Sequence, residues 1–138
     1  MTLNDKFLGC NYYIHSLKRH LLAIIEPKKY LQDDLYDHMR LIILDICIIF
    51  GLDGNQPFQL DGISDFISKY AEKLEEFRCM RNDMFAHSFD PQTSSTRKIQ
   101  NHNHVSSILN KYCKPVNHNF YQDLLQLLDS IIDKYERE

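Results

Sequence analysis

Three residues within EFRCMRNDMFAHSFD, residues 76–90, have side chains suited to moving a proton and holding anionic charge: Arg81, Asn82 and His87. An unperturbed histidine titrates at about pH 6.5 and so gives or takes a proton at neutral pH. A guanidinium is permanently charged and presents a planar fork of donors that matches phosphate oxygens. The positions read as helical. An apolar stripe of Ile63, Ile67, Tyr70, Leu74 and Phe77 continues through Arg81 to Met84 at helical spacing. An arginine on such a stripe needs a partner or a ligand. On an ideal helix Arg81 and His87 stand ~120° apart and ~9 Å along the axis, flanking Met84. A second surface closing over them would make one cleft. A plainer reading gives Arg81 a buried stem and a head that reaches solvent or Asp45, and makes His87 a helix-end residue beside the last carbonyls.

The elements that must position these residues follow from periodicity and punctuation. Phe7, Cys10, Ile14, Leu17, Leu21 and Ile24 predict a helix over about 4–26, closed by Pro27. A second helix, about 29–50, carries Leu31, Leu35, Ile42, Ile46 and Ile49. Its second half, LIILDICIIF, is apolar almost all round and belongs at the centre or at an interface. GLDGNQPFQLDG (51–62) is a turn-rich connection. The third helix runs from about 63 into the mid-80s and bears the Arg–Asn–His segment. A long polar loop follows at about 88–103, then a short helix over Val105, Ile108, Leu109 and Tyr112. A last helix after Pro115 uses Phe120, Leu124, Leu127, Ile131 and Tyr135. The expected fold is all-α: one domain, 1–138, with four main helices running up and down plus a short extra helix.

Composition agrees. With four Gly and four Pro in 138 residues, breakers stand at about half their average usage. A ten-residue run that includes Asp45 falls short of the ~20 apolar residues that a membrane span needs, and no secretory signal is read at the start. Cys10, Cys47, Cys79 and Cys113 are scattered without a CxxC pair, a pattern of reduced thiols in a cytoplasmic protein. Net charge is −3, which argues against a general nucleic-acid binder. The charge is uneven, however. Residues 91–122 hold no Asp or Glu but contain Arg97, Lys98, Lys111 and Lys114. The rest of the chain nets −7, with 12 cationic against 19 acidic residues. The cationic segment is a candidate for phosphate-backbone contact, or else a solvated face. His102 and His104 lack a nearby Cys or carboxylate to complete a zinc set, so no metal is expected.

Arg81-Asn82-Asp83-Met84-Phe85-Ala86-His87 resembles the signature of the HEPN superfamily, small helical bundles marked by an Arg, a polar residue and a His a few positions on. The Ala before the His is also common there. The resemblance implies metal-independent RNA cleavage with no cofactor, by a toxin or defence effector whose composite site forms between two copies of the chain. It implies His87 as general base and acid, Arg81 as stabiliser of phosphoryl charge and Asn82 as the residue that orients them. Arg78, one turn earlier, would widen the cationic cleft. The expected partners are an RNA substrate, a second copy and a cognate antitoxin protein, with no membrane. Two departures stand out: five residues separate Arg from His where paired toxins have four, and Phe89 stands where those toxins carry a tyrosine that accepts AMP. Some relatives keep the motif as regulators or scaffolds, so the alternative is a non-catalytic bundle that binds a protein or nucleotide.

Overall fold

The computed structural model describes residues 3–25, 32–88 and 118–136. Among them lie six helices and no strand: α1 (Leu3–Leu8), α2 (Asn11–Ile25), α3 (Gln32–Ile49), α4 (Ile63–Lys69), α5 (Ala71–Ser88) and α6 (His118–Glu136). The fold is an all-α bundle. The expected short helix over Val105–Tyr112 and the loop at 88–103 lie outside the described residues, apart from Ser88, which closes α5.

α3 is the central element, as its all-round apolar second half requires. Met39, Ile42, Ile43, Ile46, Cys47, Ile49 and Phe50 are all buried. It packs against α2 on one flank and α5 on the other. The helices run up and down. Ser16 meets Asp45 while His20 meets His38, so α2 and α3 are antiparallel. Phe50 stacks on Phe66 while the Cys47 thiol faces the Phe77 carbonyl, so α3 and the α4–α5 pair are antiparallel too. α6 closes the bundle against α2, where Lys18 pairs with Asp129 and His15 with Glu136. Its first turn delivers Phe120 into a cluster with Phe66, Tyr70 and Phe77, at centroid distances of 5.7, 5.1 and 5.5 Å. Each such buried ring contributes about 1.5–3 kcal/mol from transfer alone.

The end of α3 is fixed by its backbone. Leu52 N–H donates to the Cys47 carbonyl at 2.8 Å and Gly51 N–H to that of Ile48 at 3.4 Å. This two-bond cap requires a left-handed residue between helix and loop. Gly51 supplies it at φ 69°, and a Cβ there would lie 2.5 Å from Pro57 N. Two expected helices are interrupted. The first breaks at Gly9-Cys10, where glycine lowers the cost of leaving the helix and Phe7 turns onto Tyr135, 5.8 Å between ring centres. The third breaks at Tyr70, with φ −118° and ψ 31°. There the ring packs on Phe66 and Phe120 while its hydroxyl bonds Asp123, which Lys69 also reaches at 2.9 Å.

Asp45 is 5% exposed inside this apolar surround, and Ser16 Oγ donates to its Oδ2 at 2.7 Å. Burial raises its pKa from the ordinary 3.8 to about 6, against the pull of Ser16 and Arg19. The folded chain therefore holds this proton more tightly than the unfolded chain. Between pH ~6 and ~4, stability from this group rises as pH falls, by up to about 1.4 kcal/mol per pH unit. Asp45→Asn keeps an acceptor for Ser16 and removes the charge. The variant is expected to exceed the wild type in stability at pH 8 and to lose that advantage by about pH 4, read from urea unfolding across pH. A pH-independent difference would show that no buried charge is being relieved.

Candidate functional site

The signature segment lies on one continuous helix. α5 runs from Ala71 to Ser88, so Arg81, Asn82 and His87 share an axis, with His87 in the last turn. Its core-facing residues are Leu74, Phe77 and Met80. This corrects the expected stripe, which placed Arg81 in line with Phe77. Steps of three and four residues are both compatible with a 3.6-residue period, and against α3 the buried position is Met80. Arg81 is half-buried on the flank and Asn82 is exposed.

Arg81 lies near enough to α3 for its charge to act on Cys47. Burial pushes the Cys47 thiol up to about 12, and among the charges that act on it the largest is Arg81, which pulls the other way. Arg81 thus combines a partly apolar setting with access to solvent, which suits a guanidinium that binds an anion without being fully desolvated. Asp45, the expected alternative partner, is engaged by Ser16 on the α2 side.

Arg78 is tied down locally. Its Nε donates to both Glu75 carboxylate oxygens at 3.0 and 2.9 Å, and Nη2 donates to Oε1 at 2.5 Å. Glu75 therefore offsets part of the Arg78 charge locally, on an exposed face. The remaining RNA-binding candidates, Arg97, Lys98, Lys111 and Lys114, lie outside the described residues, as does Phe89.

Polar residues meet between α2 and α3, Ser16 with Asp45 and His20 with His38; of these only Asp45 stood out in the sequence, and there as a possible partner of Arg81. Their spacing was visible, with Ser16 and His20 four apart and Asp45 and His38 seven apart, each set on one helix face. Which face met which required the helix pairing. Among the described residues, no helix is long and apolar enough to cross a membrane.

No protein-family model, curated protein or solved structure matches this chain.

The difference between Arg81 and its core-facing neighbours predicts opposite responses to truncation. Phe77→Ala removes a fully buried ring and should cost about 3–5 kcal/mol. Arg81→Ala should cost about 1 kcal/mol or less, because the site is a rim position. Chemical denaturation of the two variants measures both. A loss at Arg81 as large as that at Phe77 would make Arg81 a structural residue.

Proposed function

We propose that this chain is a metal-independent endoribonuclease of HEPN type, a toxin or defence effector with a composite site between two copies of the chain. The observation that carries the reading is the placement of Arg81, Asn82 and His87 on one helix, with Arg81 half-buried at the rim of an all-α bundle. The chemistry needs no more than these groups supply. His87 takes the proton from a ribose 2′-hydroxyl as its oxygen attacks the adjacent phosphorus. Arg81 balances the charge that builds on the non-bridging oxygens. The 5′-oxygen leaves with a proton, giving a 2′,3′-cyclic phosphate and a 5′-hydroxyl. One histidine cannot accept the first proton and donate the second in the same instant, so a two-fold pair of motifs supplies the other. Asn82, exposed beside Arg81, orients the phosphate or the histidine. Phe89 stands where paired toxins carry the AMP-accepting tyrosine, and the control proposed for this chain in the cytoplasm is protein contact with a cognate antitoxin.

Purified protein should cleave RNA in EDTA and leave 2′,3′-cyclic phosphate ends. His87→Ala and Arg81→Ala should each lower the rate by about 10²–10⁴ without unfolding the bundle. Activity lost on chelation and restored by a metal would overturn the assignment. RNA bound but never cut would instead make the chain a non-catalytic member.

The cationic segment is tested separately. Changing Arg97, Lys98, Lys111 and Lys114 to Gln should weaken RNA binding and flatten the dependence of log affinity on log salt by ~0.7 per lost contact with single-stranded RNA. An unchanged slope would assign those residues to a solvated face and leave the catalytic proposal intact.

A further inference from the structure

His20 on α2 and His38 on α3 bring their Nδ1 atoms to 2.9 Å, with ring centres 5.1 Å apart. That separation is close to the largest the nitrogen–nitrogen distance allows, so the two nitrogens face each other head-on. A metal ion needs lone pairs that converge on a third point with ~2.0–2.1 Å to each nitrogen, and this geometry leaves no such point. The space between the rings fits one hydrogen.

Counting protons then defines what the pair can do. A neutral imidazole has one N–H and one bare nitrogen. The contact closes when one ring presents Nδ1–H and the other a bare Nδ1. A first added proton goes to the far nitrogen of the donor ring and strengthens the bond by charging the donor. A second added proton has only the bare Nδ1 left to occupy. Two N–H groups and two positive charges would then meet head-on, and the hydrogen bond is lost.

We propose that His20 and His38 form a proton-operated latch between α2 and α3, shut while the pair carries at most one added proton and released by the second. Among the described residues, these charged groups stand on the elements packed around the pair. Burial, then the charges of His38 and Arg19, hold His20 below its ordinary pKa. Asp45, the acidic group further along the same contact, is bonded by Ser16. Asp37 and Arg40 flank His38 on α3 and are exposed. On α6, which packs against α2, Asp129 pairs with Lys18 and Glu136 with His15. Because His20 binds its proton less tightly in the folded chain, the contribution of His20 to stability is full above about pH 6.5 and is lost as pH falls below it, when the second proton is forced onto the pair. Asp45 has the opposite sign, so the two effects mask each other in total stability.

The test therefore uses the full chain carrying Asp45→Asn, which retains the Ser16 acceptor. Nitrogen-15 spectra of the imidazoles are followed from pH 8 to pH 5 alongside amide hydrogen exchange. At pH 7.5 one Nδ1 should be protonated and the other bare. The pair should titrate in two steps separated by more than ~1 pH unit. The second step should accelerate exchange in α2 and α3 by about tenfold or more beyond its intrinsic pH dependence. His20→Leu/His38→Leu should abolish that acceleration. If this double variant does not fold, the imidazole titration and exchange of the parent decide alone. Two rings titrating as independent sites, or a second step with unchanged exchange, would overturn the latch.

Discussion

A helix enclosed on several sides has little room for polar groups, and the enclosure of α3 sets the rest of this fold. Met39, Ile42, Ile43, Ile46, Cys47 and Ile49 bury most of its apolar surface, so α2 and α5 lie along it while Asp37, Arg40 and Leu41 stay exposed. α6 then closes against α2 and reaches the α4–α5 side through Phe120. The position of the signature segment follows from the same constraint. α5 seats Leu74, Phe77 and Met80 in the core, and the residue after Met80 is turned to the rim. An arginine carried into the centre would lose hydration worth several kcal/mol. At the rim it stays half-buried, between the packed interior and solvent.

Helix existence and the identity of the central helix were legible because burial leaves a strong pattern. The all-round apolar half of α3 and the stripe of α6 at Phe120, Leu124, Ile131 and Tyr135 are such patterns. The breaks at Gly9 and Tyr70 were not legible, because apolar spacing stays nearly in phase across a short interruption. At Tyr70 the backbone bonds Tyr70 N–H to the Phe66 carbonyl and Leu74 N–H to the Tyr70 carbonyl bridge the break at 3.0 and 2.9 Å. In α6, Leu128 is buried where Leu127 was expected, and Leu127 lies against the Gly62 backbone. The choice between Met80 and Arg81 has the same origin: periodicity narrows the inward face to a pair of positions, and the neighbouring helix selects one.

The candidate site was legible only as far as its residue types and the helix that carries them. Chemistry fixes which side chains can hold a phosphate or move a proton, and their spacing on α5 follows from helix geometry. What sequence could not supply was competition. Glu75 is three residues before Arg78, a spacing at which such pairs form, yet Arg78 equally matched a cationic cleft until the ion pair was seen. The α2–α3 polar contacts are the converse case. His20 and His38 are 18 residues apart and acquire meaning only when the helices pair.

These two polar regions lie on different flanks of the same helix. Asp45 and Cys47 are two residues apart, which turns them ~200° from one another around α3. Asp45 faces Ser16 of α2, while Cys47 faces the Phe77 carbonyl of α5 and feels the charge of Arg81. A change at His20 or His38 can therefore reach the signature segment by moving α3, or through α6, which packs on α2 and meets Phe77 through Phe120. Close packing transmits such a displacement but does not let the two sets of charges compensate one another directly. The packing sets the two polar regions on opposite flanks of α3, against α2 and against α5.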